Sequence, residues 1–369
     1  MTRIALRLRH AALVLALTVA APAPALAQSS ASPATQVQAP VTILDGGIRR
    51  DLARGVYEAR YSTLDQRLYV ASAESVAGVK GGVIYQLDPV TLQTVGMIHT
   101  DKKNFALTFN AQGDTLFVTN SVQASITAID VKSGNVKARL SFEDKASDGT
   151  PYGPRQIIHD PSSDLLYIGG VGAPGLIWVV DAKTLTRVHT IGEAGKWVTG
   201  LLVDPDQKRL YAANGDGEIL VIDTTTYQIV SRWKPGAGRE ALLLNLALDG
   251  ATHRLFVTDH SKLKTTLVLD SRTGKVIQTL PGGDAMGVKL NPVRNELYIT
   301  HRDQGTLSIL DSTTYALKKT IDLPVNPNSL ALDPTGQVLY VTVKAPCNKD
   351  YTASADESVA RIDLKTLGR

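Results

Sequence analysis

The chain has 369 residues, with 39 Lys and Arg against 35 Asp and Glu, and a formal net charge of +4 at pH 7. Three of these arginines and no acidic residue fall within residues 1–27, so without that segment 36 basic residues stand against 35 acidic ones. A nearly neutral chain excludes nucleic-acid or membrane binding driven by overall charge, and any such affinity must come from a local patch.

The N-terminal segment has the pattern of a secretory signal peptide. Three arginines precede an apolar stretch at residues 11–20 and an Ala-Leu-Ala cleavage site at residues 25–27. The apolar stretch is shorter than the roughly 20 residues of a membrane-spanning helix, and two prolines follow it. The sequence therefore predicts a signal peptide over residues 1–27, a periplasmic location, and no membrane segment after cleavage.

Residues 28–40 are rich in Ala, Ser, Gln and Pro, which is typical of a flexible tether. Beyond them one repeat dominates the chain. It reads as a short strand with an apolar-aromatic pair at its start, a polar loop, a second strand, and an Asp that opens a turn. The central aromatic residues, spaced 42 to 50 residues apart, are Tyr69, Phe117, Tyr167, Tyr211, Phe256, Tyr298 and Tyr340. The closing acidic residues are Asp88, Asp130, Asp181, Asp223, Asp270, Asp311 and Asp363.

Seven copies of a strand-rich unit at this period predict an all-β fold, a seven-bladed β-propeller with four antiparallel strands per blade. We assign residues 41–369 to this single domain. The last repeat ends before a fourth strand is complete, whereas Val41–Leu44 is a spare strand. We therefore expect the N-terminal strand 41–44 to pair beside residues 358–363 and close the ring, because an open array would leave an exposed edge.

The repeated Asp residues have two interpretations. One isolated acid per tight turn is typical of a side chain that bonds nearby backbone N–H groups, and this interpretation is preferred over metal binding. No His pairs with another His or with Cys at ligand spacing, so the sequence predicts no metal site and no cofactor. The single cysteine, Cys347, lies in a polar loop and excludes a disulfide within the chain.

Longer runs around the repeats resemble a known family. The runs are residues 81–92, 116–120, 177–181, 291–296 with 300–302, and 327–332. The shorter units resemble the YVTN-type propeller repeat, and the longer runs are similar to the periplasmic YncE proteins. The resemblance spans the chain from about residue 54 onward. It implies a secreted seven-bladed propeller without established catalysis, for which single-stranded DNA is a proposed ligand.

The loops that enter each first strand, and those that join the second strand to the third, should meet at one mouth of the central channel. Cations outnumber acids in these loops. The candidate ligand-binding residues are Tyr57, Arg155, Lys196, Trp197, Arg239, His301, Arg302, Asn328 and Lys344. Arginines and lysines would hold the oxygens of an anionic ligand such as single-stranded DNA, and Tyr57 or Trp197 would stack on a base.

Two other functions stay open at this point. The outer rims could serve a monomeric protein-interaction scaffold. A lactonase-like or redox enzyme is also compatible with the fold. No nucleophile elbow, phosphate-binding glycine loop or His-Glu-x-x-His motif occurs, so no catalytic residue is predicted. Glu58 and Glu240 are the acidic residues at the starts of first strands, which is few for a lactonase-type calcium site.

Overall fold

A computed structural model describes residues 39–261 and 264–367. The predicted signal peptide and all but the last two residues of the predicted tether lie outside this part of the chain. The described residues form 29 strands and a single 3₁₀ turn, Ser121–Gln123. None of their helical segments is long and apolar enough to cross a bilayer.

The strands follow one another blade by blade. The first two, β1 (Val41–Leu44) and β2 (Gly47–Ala53), join the blade that closes the ring. Blade 1 contains β3 (Val56–Ser62), β4 (Arg67–Ser72), β5 (Gly82–Leu87) and β6 (Thr94–Thr100). Blade 2 contains β7 (Leu107–Phe109), β8 (Thr115–Asn120), β9 (Ser125–Asp130) and β10 (Val136–Ser141). Blade 3 contains β11 (Gly153–Asp160), β12 (Leu165–Val171), β13 (Leu176–Asp181) and β14 (Thr186–Ile191).

The remaining blades repeat this order. Blade 4 contains β15 (Val198–Asp204), β16 (Arg209–Asn214), β17 (Ile219–Asp223) and β18 (Ile229–Trp233). Blade 5 contains β19 (Leu243–Asp249), β20 (Arg254–Asp259), β21 (Thr265–Asp270) and β22 (Val276–Leu280). Blade 6 contains β23 (Ala285–Asn291), β24 (Glu296–His301), β25 (Thr306–Asp311) and β26 (Leu317–Asp322). Blade 7 contains β27 (Pro327–Leu332), β28 (Val338–Val343) and β29 (Glu357–Asp363).

Each blade is an antiparallel meander whose first strand lies innermost. The inner strands β3, β7, β11, β15, β19, β23 and β27 each contact the inner strand of the next blade, and β27 contacts β3. The chain is therefore a closed seven-bladed β-propeller, as the repeat predicted. All inner strands start at the same end of the channel, and the turns between the third and fourth strands lie at the opposite end.

An N-terminal strand closes the ring, but it is not the predicted one. Strand β2 pairs with β29, with Gly47 opposite Ile362, and β1 pairs only with β2 as a fifth, outermost strand. The reason is packing. Ile48 and Leu52 of β2 pack against a buried cluster shared by the first and last blades, whereas Ile43 of β1 is 76% exposed. The more deeply packed strand takes the inner position.

The hydrophobic core lies between neighbouring blades. The aromatic residue of every repeat is at least 98% buried. Between blades 2 and 3, Trp178 is fully buried, stacks on Phe142 at 3.9 Å between ring centroids, and donates its indole N–H to Asp144 at 3.0 Å. Trp178 therefore packs between blades, as expected from the sequence.

The repeated Asp residues hold turns together. Asp181 Oδ1 accepts hydrogen bonds from the backbone N–H of Thr184 at 2.7 Å and from its hydroxyl at 2.8 Å. These bonds, led by the backbone one, lower the pKa of Asp181. Asp130 makes the same pair of bonds to Ser133. The structural interpretation of these acids is confirmed.

Candidate ligand-binding site at the channel mouth

A β-bulge at the start of the inner strands directs side chains into the channel. In β3 the pairing passes from Val56–Ser72 to Ala59–Val70, so two residues, Tyr57 and Glu58, stand opposite one residue of β4. The same shift occurs in β11, β15, β19, β23 and β27. The first residues of these bulges, all of which line the channel, are Tyr57, Arg155, Thr199, Leu244, Met286 and Asn328.

In blades 2, 5, 6 and 7 a threonine follows the aromatic residue by two positions, bonds to the start of the inner strand and joins its blade to the next. Thr258 Oγ1 accepts the N–H of the bulged Asn245 at 2.9 Å and donates to the Met286 carbonyl of the next blade at 2.9 Å. Thr119 and Thr342 donate in the same way to the carbonyls of Arg155 and Tyr57, each at 2.8 Å. In these four blades the threonine therefore helps to set the geometry of the channel wall.

These walls enclose a cavity of about 310 Å³ that contains both aromatic and charged side chains. Tyr57 and Phe105 face each other at 4.5 Å between ring centroids, and Trp197 lies on the same cavity. The charged side chains that line it are Glu58, Arg60, Arg155 and Lys289. Three cations therefore stand against one carboxylate in a chain that is nearly neutral overall.

Arg155 and Arg302 are the cations with open hydrogen-bonding capacity near Tyr57. Neither guanidinium makes a hydrogen bond or an ion pair with any described residue, and Arg155 is exposed to the cavity. Burial raises the pKa of the Tyr57 phenol, and the charges of Arg155 and Arg302 oppose this shift. Both charges therefore act on the Tyr57 phenol, although only Arg155 of the two lines the cavity.

Lys196 and Trp197 form a second exposed edge of the mouth. The Lys196 ammonium lies 4.1 Å from the centroid of the Trp197 ring. The backbone N–H of Lys196 donates to the Asp216 carboxylate at 2.8 Å. Trp197 adopts a φ of +55° and is 40% exposed. A cation held over a half-exposed indole is suited to contact a planar anionic group.

Lys344 is turned inward rather than toward the channel. Its ammonium donates to the Val56 carbonyl at 2.8 Å, lies 3.2 Å from Glu357, and sits 3.7 Å from the centroid of the Tyr57 ring. Burial lowers the pKa of Lys344 and raises that of Glu357. Lys344 thus joins the last blade to the first and supports Tyr57 from behind. Asn328, which donates to the Tyr57 carbonyl at 3.3 Å, lines the cavity itself.

Two candidates lie apart from the cavity. His301 is buried, and its Nε2 is 3.0 Å from the Ser308 hydroxyl within blade 6. Burial lowers its pKa, which favours the neutral ring. Arg239 is exposed in the loop before β19, and its Nε donates to the Gly236 carbonyl of that loop at 3.5 Å. The structure thus brings Tyr57, Arg155, Trp197 and Asn328 to one cavity, with Arg302 and Lys196 beside it.

Several wall residues were not predicted: Arg60, Phe105, Gln156, Asn245 and Lys289 among them. The clue to these residues in the sequence is their position, because each lies within six residues of the start of the first strand of a blade. Glu58 lines the cavity, whereas Glu240 is exposed in a loop and does not. In the ranges 39–261 and 264–367, no three His, Cys, Asp or Glu side chains are grouped so as to hold a metal ion.

Comparison with solved structures supports the fold alone. A chain of hydrazine synthase from Kuenenia stuttgartiensis is 18% identical, covers 84% of this chain and 96% of its own, and superposes with a TM-score of 0.66. A chain of the mitotic checkpoint complex is 16% identical, with coverage of 95% and 99% and a TM-score of 0.65. At such identities only the architecture is shared.

Sequence relatives give the family. No family model matches the chain. The YncE protein of Salmonella typhimurium is 41% identical over 320 residues, which span 86% of this chain and 90% of the relative. The YncE protein of Escherichia coli K12 is 41% identical with the same coverage. The antigen Lp49 of Leptospira interrogans is 28% identical over 227 residues, 59% of this chain and 48% of that protein. The chain belongs to the YncE family of proteins.

Proposed function

We propose that this protein is a binding protein that holds an anionic ligand, single-stranded DNA or a smaller anion, at the mouth where the inner strands begin. The observation that carries the proposal is the pair of arginines beside Tyr57. Arg155 and Arg302 make no ion pair or hydrogen bond with any described residue, although both act electrostatically on the Tyr57 phenol. Guanidinium groups without protein partners are suited to bind phosphate or carboxylate oxygens in two-point contacts.

Aromatic side chains supply the second requirement of such a ligand. Tyr57, Phe105 and Trp197 border the same cavity as Arg155. Stacking of a base on an aromatic ring contributes about 1–3 kcal/mol and tolerates any base. A cavity of about 310 Å³ lies at the small end of ligand pockets, so it would take one nucleotide-sized group rather than a whole strand.

The location belongs to the same proposal. A chain exported by its first 27 residues would act in the periplasm as a monomer, where it could meet small anions or nucleic acid released from cells. Binding at that site would depend on the local cations of the mouth, since the exported chain carries 36 basic against 35 acidic residues.

The test is the salt dependence of binding. Fluorescence anisotropy of a labelled single-stranded oligonucleotide is measured over a salt series with the native protein and with the double variant Arg155→Ala, Arg302→Ala. Loss of two phosphate contacts should weaken binding by about 2 kcal/mol. It should also reduce the slope of log K against log salt by about 1.4, because fewer counterions are released.

A matched control separates the mouth from general charge. Lys132 and Lys183 are exposed lysines in turns at the opposite end of the ring, so the double variant Lys132→Ala, Lys183→Ala removes the same charge. It should bind with the native slope. Equal losses in both double variants, or an unchanged slope in the arginine variant, would overturn the proposal.

A specific observation keeps the interaction scaffold as a second candidate. Around the same end of the ring, Val122, Val325 and Tyr351 are 66%, 47% and 87% exposed in loops. Exposed apolar side chains on one end of the ring are candidates for protein contact where they form a continuous patch. This candidate predicts a protein partner whose binding is weakened by Tyr351→Ser and Val325→Ser, and is unaffected by the arginine double variant.

A further inference from the structure

Two cations lie deep in the channel, below the mouth. Ala59 of β3 pairs with Val70, and Val288 of β23 pairs with Ile299, which is the equivalent position in its blade. The next residue along each strand, Arg60 in β3 and Lys289 in β23, therefore lies at the same depth in the channel. This level is three residues along the strand from Tyr57, or roughly 10 Å further into the channel. Both side chains line the same cavity as the mouth aromatics.

At this level the other inner strands carry no charged residue. By the same register, the residues at this level in the other inner strands are Thr108, Ile158, Leu202, Ala247 and Ala331. The strands on either side of β23 contribute only alanine, at positions 247 and 331. Both alanines are buried in clusters between blades, so the open space next to Lys289 is that of the cavity itself.

Neither cation has its charge fully matched by the protein. The Lys289 ammonium makes no hydrogen bond or ion pair with any described residue. Arg60 lies 3.4 Å from Glu58 and donates to the Ala59 carbonyl at 3.1 Å. Glu58 is the carboxylate that lines the cavity, and its Oε2 forms the ion pair with Arg60 but makes no hydrogen bond with a described residue. Two like charges in a largely apolar ring are costly unless an anion joins them.

The electrostatics of Lys289 agree with an unfilled anion site. Burial, and then the charge of Arg60, lower its pKa to about 8, and Glu58 opposes the shift. The neighbouring strands β19 and β27 present Leu246, Asn245, Ser329 and Leu330 to the cavity, none of which titrates. Tyr298, opposite Lys289 on β24, has its hydroxyl bonded to Glu296 at 2.8 Å.

We propose that Arg60 and Lys289 form a separate oxyanion site inside the channel, which takes a carboxylate or a phosphate-like group of a small molecule. Lys289 donates its N–H bonds to the oxyanion, and Arg60 adds the second charge while remaining paired with Glu58. The site goes beyond the proposed binding of a ligand at the mouth, because it needs neither Arg155 nor Arg302 and would exist without any polymer.

The pH dependence of anion affinity tests this site. Calorimetric titration with sulfate, a phosphate stand-in of constant charge, and with benzoate, a carboxylate, is carried out from about pH 6.5 to about pH 9.5. Affinity should be full below the pKa of Lys289 and fall about thirtyfold by about pH 9.5, as the ammonium loses its proton. The better of the two anions identifies the preferred oxyanion.

Two variants make the result specific to Lys289. Lys289→Arg stays charged and should bind without this pH dependence. Lys289→Met keeps the length without the charge and should bind about ten- to a hundredfold more weakly. The Arg155→Ala, Arg302→Ala variant should keep the native pH profile.

Three results would overturn the deep site. They are a flat pH profile of the native protein, native affinity of the Met variant, and failure of both anions to bind. Loss of anion binding in the arginine double variant alone would contradict the deep site while supporting the mouth. A failed mouth experiment with the predicted pH profile would leave the deep site standing.

Discussion

The hydroxyl of Thr342 donates a hydrogen bond of 2.8 Å to the carbonyl of Tyr57, across 285 residues of sequence. Thr342 lies in the second strand of the last blade, and Tyr57 occupies the bulge of the first. The same hydroxyl accepts the N–H of Ser329 at 3.0 Å. One side chain therefore fixes the bulge of its own blade, closes the ring and positions an aromatic residue of the candidate site.

Replacement of this threonine should weaken the ring. Thr342→Val keeps the shape but leaves the Ser329 N–H without the threonine hydroxyl and the Tyr57 carbonyl with only the longer bond from Asn328, so the free energy of unfolding should fall by about 1–3 kcal/mol. Urea denaturation measures the change. Thr342→Ser, which retains the hydroxyl, should keep most of the stability, and an equal loss in both variants would show that the methyl group matters instead.

Truncation should distinguish the two N-terminal strands. A chain that begins at Asp45 loses only β1, whose Val41 and Ile43 are exposed, so its Tm should drop by no more than about 4 °C relative to a chain that begins at Gln28. A chain that begins at Arg54 also loses β2 and the partner of β29, and its Tm should fall by about 10 °C or more. Equal Tm values would contradict closure by β2.

Trp197 should contribute to ligand stacking. Trp197→Ala removes the half-exposed indole under Lys196 and should weaken oligonucleotide binding by about tenfold, within the range found for loss of one stacked base. Fluorescence anisotropy measures the affinity. Trp233→Phe changes an indole at the end of β18, in an outer strand of blade 4, and should leave binding unchanged. Native affinity of the Trp197 variant would exclude a stacking role.

The buried His301 should make stability depend on pH. Burial lowers its pKa below the ordinary value of about 6.5, so between those two values the unfolded chain binds more protons than the folded one. Stability is therefore full above about pH 6.5 and falls as the pH drops below it, by up to about 1.4 kcal/mol per pH unit. Urea denaturation of native protein and of His301→Gln should show a steeper loss in the native protein.

The blades could be predicted from the sequence because their signals are local. Each repeat carries a buried aromatic residue and an Asp that bonds its own turn, and both act within a few residues. Strand β2 could not be predicted in this way. It contains Arg49, Arg50 and Asp51 in succession, which resembles a polar loop. Arg49 pairs with Asp51 at 2.5 Å, and Arg50 is 91% buried with its Nε bonded to the Thr91 carbonyl at 3.3 Å.

The candidate site was predicted only in part, for two physical reasons. The position of a residue in a loop does not give the direction of its side chain, and His301 and Lys344 turn into the protein to bond Ser308 and Glu357. At each bulge two residues of the inner strand stand opposite one residue of the neighbouring strand. The usual alternation of side chains between the two faces of a strand is interrupted there, so the sequence pattern does not show which residues face the channel. Asn245 and Lys289 were missed for that reason.

Co-crystallisation with a short single-stranded oligonucleotide measures the position of the ligand directly. We expect phosphate oxygens within hydrogen-bonding distance of Arg155 and Arg302, with a base against Tyr57 or Trp197 at the end of the ring where the inner strands begin. An oligonucleotide bound at the opposite end, against the Asp-capped turns, or on the outer strands would contradict a binding site at this mouth.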